Sequence, residues 1–325
     1  ASDVYKRQGD AMGMPAELWG RKRVKAFFGR IEGFLDGPAE NDVAFNYKKG
    51  QFTDDTGQAL VLLDSIESTD YEPDTRDIAL RMLAWAEKEN AFENNILGPT
   101  SKVALANFRD NIQDSRITDK ALSNGSAMRI APIGCLFRPE QKEDIARYVY
   151  LVSRATHTSD VTIAGAAMIA EAVSSAIVKD DFEKVMEDVF GIEEIGYGMG
   201  CETFSPRLGE RLRIGLDIAG SYKGDDEGFI HKLYDVVGTG VGIIESVPAA
   251  LSVAYYAQDP NLSCLLCANM AGDTDTIGAM ATAVCGAFTG MGRIKPEYIR
   301  TLRQQNDADF DHYIRILEKG RERFA

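Results

Sequence analysis

The sequence predicts an all-α fold in one compact domain, and three observations carry that expectation. Apolar residues recur at helical spacing in long stretches, no series of alternating strands is evident, and several stretches are apolar nearly all round and rich in Ala and Gly. Helices of that last kind belong in the middle of a bundle, where small side chains let backbones approach. The helically spaced stretches are 56–68, 77–89, 143–156, 161–178, 240–257 and 277–291; of the helices, the charged, amphipathic DIALRMLAWAEKEN and DADFDHYIRILEKGRERF are placed around those that are apolar nearly all round.

Composition narrows the function. The 325 residues, 45% hydrophobic and 26% charged, suffice for a well-shielded core and differ from a disordered chain. A net charge of -14 argues against a broad basic surface, so duplex nucleic acid is not an expected partner, although a local cationic or metal-filled pocket is compatible with it. Five cysteines make no disulfide framework and predict reduced thiols and a cytoplasmic location. Cys264 and Cys267 have CxxC spacing but sit in an apolar helical run with no second pair, which predicts core thiols rather than zinc. No apolar run is read as reaching the roughly 18 residues of a membrane span, and the N-terminus lacks a signal peptide's apolar core, so no membrane partner is expected. The Gly-rich stretch 191–206 reads as a long loop and a candidate lid.

Two acidic clusters stand ahead of helical stretches, Thr53-Asp54-Asp55-Thr56 and Asp273-Thr274-Asp275-Thr276. Helix capping is the simpler explanation of either alone. Inside a regular helix, however, side chains two residues apart point about 200° apart. A target shared by Asp273 and Asp275 therefore places them in the turn before the helix. Two such turns bring too much like charge inward unless cations neutralise it, and hard oxygen ligands select Mg²⁺, Mn²⁺ or Ca²⁺. The rival EF-hand reading of Asp273, Asp275 and Gly278 fails at its twelfth position, where Val284 replaces the bidentate Glu. A third element, GDAMGMPAE (9–17), offers Glu17 as a further hard oxygen, and a fourth, SNGSAMR (123–129), places small polar residues and free N–H groups at a helix start suited to a phosphate.

In this order, GDAMGMPAE, TDDT, SNGSAMRIAPIG, Thr156-His157, GTGVGIIESVPAA and GDTDTIG resemble the ADP-ribosylglycohydrolase family. The resemblance implies a single all-α, orthogonally packed domain with a binuclear Mg²⁺ or Mn²⁺ site. It implies that Thr53, Asp54 and Asp55 face Asp273, Asp275 and Thr276 across two metals, with Glu17 able to reach a metal or swing aside. It assigns Asn124, Gly125, Ser126, Met128 and His157 to ADP-ribose binding. The implied reaction is hydrolysis of an N- or O-glycosidic bond of a ribose, in which Asp55 or Glu17 manages the proton of the attacking water. Expected substrates are ADP-ribosylated protein side chains; the alternatives are a small ribosylated metabolite or nucleoside, or an inactive ADP-ribose-binding or structural relative. Arg129 is open between phosphate binding and pairing with an acid, and Tyr197 and Phe204 between adenine stacking and packing; His231 and His312 read as structural.

Residues 1–8, ASDVYKRQ, stand where the family has the end of a hydrophobic helix, and their polarity does not fit a buried one. DVYKRQ back-translates as GAT GTG TAT AAG AGA CAG, the end sequence of transposase-based library adapters. The expectation is therefore a non-native segment at 1–8, loss of a core helix beside Glu17, and a family-like domain over 9–325.

Overall fold

A computed structural model describes residues 1–94 and 96–324. Its helices in chain order are α1 (Ser2–Gly13), α2 (Arg21–Phe28), α3 (Asp54–Ser68), α4 (Thr75–Lys88), α5 (Pro99–Arg109), α6 (Arg116–Asp119), α7 (Ala131–Gly134), α8 (Lys142–Ser153), α9 (Asp160–Val178), α10 (Phe182–Tyr197), α11 (Leu208–Ser221), α12 (Asp226–Val236), α13 (Ile243–Ala257), α14 (Pro260–Met270), α15 (Thr274–Thr289), α16 (Pro296–Gln305) and α17 (Phe310–Phe324). Among the described residues, β-pairing is confined to isolated bridges such as Ser123 with Gly242. The all-α expectation therefore holds.

Helices α9, α13 and α15 form the centre, buried along nearly their whole length, and α17 lies outside with an alternation of buried and exposed residues. Small residues set the spacing: Gly196 of α10 rests on Ala164 of α9, where a methyl group would strike the Ala164 backbone. One expectation needs correcting here. Helix α9 is long and apolar enough to cross a membrane by length and composition, but 89% of that stretch is buried inside the protein. Glu171 within it is buried and accepts a hydrogen bond from Lys142 Nζ at 3.0 Å. Cys264 and Cys267 are buried free thiols on α14, pushed up by burial, as a core role requires.

The N-terminal octapeptide also departs from expectation. Ser2–Gly13 is one helix, buried throughout, and it lies along α15 because Gly9 and Gly13 offer no side chain against the backbones of Gly278 and Thr274. Its polar groups are poorly matched to that slot. Arg7 pairs with Asp3 at 2.5 Å and stacks over Phe310 at 4.0 Å. Tyr5 OH, Lys6 Nζ, Arg7 Nη1 and Gln8 Oε1 are nevertheless buried without a hydrogen-bond partner.

The first part of the stretch read as a long loop, 191–197, is helix, because α10 continues through Tyr197, and only 198–206 is non-helical. Gly191 and Gly196 sit inside that helix as packing glycines, not as flexible ones. Tyr197 OH accepts from the Leu208 backbone N–H at 3.2 Å and its ring lies under Arg207, so this tyrosine packs, whereas Phe204 is fully exposed.

Candidate metal centre and substrate pocket

The Gly9–Glu17 segment and the N-termini of α3 and α15 converge. Thr53 caps α3 by accepting the Asp55 N–H, and Asp273 occupies the same cap position on α15. Asp275 therefore lies in the first helical turn rather than ahead of it, a correction to the sequence reading. The two helix starts are joined reciprocally: Thr53 Oγ1 donates to Asp275 Oδ2 at 3.3 Å, and Thr276 Oγ1 donates to Asp55 Oδ1 at 3.2 Å. Backbone at Gly272, with φ of +85°, turns Asp273 inward; its N–H donates to Thr239 O at 2.7 Å.

Ligand oxygens of Asp10, Asp55 and Asp275 lie within 4.8 Å of one another, as do those of Glu17, Asp273 and Asp275. Asp275 belongs to both groups. Asp55, Asp273 and Asp275 are buried, and burial together with neighbouring carboxylates pushes Asp55, Asp275 and Glu17 well above the usual carboxylate range. Burial likewise pushes Asp54 up to about 7 and Asp273 up to about 6. Such a cluster is electrostatically unfavourable by itself. Asp55 Oδ2 and Asp275 Oδ1 are also buried without any hydrogen-bond partner. Unpaired carboxylate oxygens converging from two helix starts are the donor set of a hard divalent cation, and the residues present fit one.

Asp10 was missed as a site residue because the short GD stretch reads as an ordinary turn. It lies on α1 and caps α3 from outside: Oδ1 accepts the Thr53 N–H at 2.8 Å, and Oδ2 accepts Thr56 N–H at 3.0 Å and Thr56 Oγ1–H at 2.5 Å. A lone acid followed three residues later by Gly gave no sign of that reach.

The Ser123–Arg129 stretch forms a short 3-10 turn at Asn124–Ser126 rather than the start of a regular helix. Asn124 Nδ2 donates to Asp273 Oδ2 at 2.5 Å, which joins this turn to the acidic cluster. Ser126 Oγ turns inward to Thr162 O at 3.0 Å, and Met128 is buried. His157 is buried beneath the turn, where a side chain at Gly125 would meet the ring at 2.8 Å; burial and Arg129 hold its imidazole neutral. Arg129 faces neither solvent nor a carboxylate directly: it is buried and donates to Gln58 Oε1 and Thr156 Oγ1. Beside Asp54 opens a cleft of about 400 Å³ walled by Tyr47, Phe52, Gly57 and Trp85.

The family model for ADP-ribosylglycohydrolase matches residues 8–323. The chain belongs to the ADP-ribosylglycohydrolase family. It is 43% identical over 315 residues to the uncharacterized protein YegU of Escherichia coli, covering 97% of this chain and 94% of that one. Human ADP-ribosylhydrolase ARH3 is 24% identical across 79% of this chain and 76% of its own length. ADP-ribosylarginine hydrolase Tri1 of Pseudomonas putida is 25% identical across 78% and 63%. A solved structure described as an ADP-ribosylglycohydrolase-related protein complex superposes with a TM-score of 0.71 at 20% identity, covering 99% of this chain and 95% of that one. The ADP-ribosylglycohydrolase fold is thus shared along essentially the whole chain.

Proposed function

We propose that this ADP-ribosylglycohydrolase is a hydrolase, dependent on two Mg²⁺ or Mn²⁺ ions, that cleaves the glycosidic bond between ADP-ribose and an acceptor, with ADP-ribosylated protein side chains as the leading substrate. The single observation that carries the proposal is the convergence of Asp10, Asp55, Asp273, Asp275 and Glu17 with the unpaired oxygens Asp55 Oδ2 and Asp275 Oδ1 among them. The sharing of Asp275 by two carboxylate groups supports a pair of ions rather than one.

Thr53, Asp54, Asp55, Asp273, Asp275 and Thr276 would hold the ions, which when bound supply Lewis acidity to ribose hydroxyls and acidify a water. The remaining work falls to the chain. Asn124, Gly125 and Ser126 form a turn suited to receiving ADP-ribose, with Met128 following it and His157 beneath it. Asp55 lies inside the cluster, suited to holding the proton lost by the attacking water. Glu17, half-buried where Asp273 and Asp275 of its group are buried, is suited to exchanging a proton with the leaving group.

The names of ARH3 and Tri1 support an ADP-ribosyl substrate. A second reading, a small ribosylated metabolite or nucleoside, is favoured by the aromatic walls of the cleft beside Asp54, which suit a planar leaving group. Release of ADP-ribose from arginine- and serine-ADP-ribosylated peptides, with Mn²⁺, Mg²⁺ or EDTA, tests the first reading. Metal-dependent release from either peptide supports it. Release of base from nucleosides without release from either peptide replaces it with the second.

A further inference from the structure

A single chain of hydrogen bonds runs beneath the site from the metal-side carboxylates to the nucleotide-side turn. Gln58 Nε2 donates to Asp54 Oδ2 at 2.9 Å, and Gln58 Oε1 accepts from Arg129 Nη1 at 2.9 Å. Arg129 Nη2 donates to Thr156 Oγ1 at 2.6 Å, which contacts His157 Nδ1 at 2.8 Å. His157 Nε2 lies 3.0 Å from Ser123 Oγ, which donates to Thr100 Oγ1 at 3.0 Å. Gln58, Arg129, Thr156 and His157 are all buried, so water does not compete for these bonds.

Donor counting gives the chain a direction. A hydroxyl carries one hydrogen, and that of Ser123 goes to Thr100, so Ser123 accepts from His157 and Nε2 bears the imidazole proton. Nδ1 is then an acceptor and takes the hydrogen of Thr156, whose oxygen in turn accepts from Arg129. An arginine is the side chain that can drive both arms at once, because its guanidinium is a rigid fork of donors and never an acceptor.

We propose that Arg129 is a positioning residue that fastens the two halves of the site together, fixing Asp54 through Gln58 and fixing the Nε2–H tautomer of His157, and with it Ser123 and the Asn124–Ser126 turn. This rests on the reading of the site as one that binds divalent metal and ADP-ribose. The two arms are separable. Gln58→Leu cuts the metal arm, Thr156→Val cuts the turn arm, and Arg129→Lys breaks both because an ammonium lacks the fork.

The test combines the ¹⁵N spectrum of selectively labelled histidine, assigned with His157→Asn, with Mn²⁺ and ADP-ribose titrations of the full chain. The wild type is expected to show protonated Nε2 and bare Nδ1 at His157. Gln58→Leu should weaken Mn²⁺ binding about 10–100-fold, the range for loss of a group that orients a ligand, and leave the imidazole signal unchanged. Thr156→Val should mix the tautomers and weaken ADP-ribose more than Mn²⁺, and Arg129→Lys should do all of these. If Arg129→Lys does not fold, the two single-arm variants carry the test. A His157 protonated at Nδ1, a tautomer insensitive to Thr156→Val, or Gln58→Leu binding Mn²⁺ as wild type does would overturn the proposal. A wild type that binds neither Mn²⁺ nor ADP-ribose would defeat the functional reading instead, while the imidazole spectrum still decides the hydrogen-bond chain.

Discussion

Asn124 Nδ2 donates a hydrogen bond to Asp273 Oδ2 across 2.5 Å, so the turn that carries Gly125 and Ser126 is fastened to a carboxylate of the acidic cluster. Asn124→Ala removes the bond and leaves a buried carboxylate oxygen unpaired. Loss of an orienting partner of this kind lowers ligand affinity or activity about 10–100-fold. Both Mn²⁺ and ADP-ribose titrations should show weaker binding; a variant that binds both as the wild type does would uncouple the turn from the cluster.

The cluster makes the response to metal depend on pH. Asp54 and Asp273 are pushed up to about 7 and about 6, and burial pushes Asp55 and Asp275 in the same direction. With folded-state values above unfolded ones, the folded metal-free protein binds more protons, so these groups lose stability for the fold as pH rises from about 4 to about 7. A bound cation reverses the preference by favouring the ionised form. The increase in Tm caused by saturating Mn²⁺ should therefore grow between about pH 5 and about pH 7. A constant increase across that range contradicts the assignment.

Gly9 on α1 and Gly278 on α15 meet backbone to backbone, and a methyl at Gly9 would collide with the Gly278 carbonyl and with Thr282 Oγ1. Gly9→Ala should cost about 1–3 kcal/mol or more, the usual consequence of overpacking a close contact. Gly20→Ala, where nothing lies within 4 Å of the added carbon, is the control. Equal urea midpoints for the two variants would show that α1 does not pack as described.

Lys6 is buried, its ammonium has no hydrogen-bond partner, and it lies near enough to lower the proton affinity of Asp10, Asp54 and Asp55. It partly offsets the cluster without metal and opposes bound cations. Lys6→Met should raise the Tm of the Mn²⁺-loaded protein and leave the metal-free protein with a smaller gain or a loss. Equal shifts in both states would place Lys6 outside the field of the site. The adapter origin proposed for Asp3–Gln8 is checked separately by resequencing the source locus without transposase chemistry, and the same codons in genomic DNA would reject it.

Much of this was legible in the sequence, for physical reasons that differ by element. The long helices follow from apolar periodicity, and the TDDT and DTDT clusters announce themselves because two capping motifs rich in acid precede helices too apolar to be exposed. Asp10 was not legible, since its role is to cap a helix that starts more than forty residues later, a relation that exists only in three dimensions. Gln58 was hidden for the same reason. The length of α10 was misread because Gly191 and Gly196 look like loop residues in one dimension and are packing contacts in three. The buried helix at Ser2–Gly13 was not legible, because the polar side chains of the octapeptide are a poor match for the slot beside α15.

The most direct measurement is a titration of metal-stripped protein with Mn²⁺, followed by the loss of the free-ion electron paramagnetic resonance signal, for wild type and Asp275→Asn. Asp275 is shared by both carboxylate groups, so the account predicts two ions bound per wild-type chain and a large loss of both in the variant. Equal Mn²⁺ binding by the two proteins, or none by a folded wild type, would contradict it.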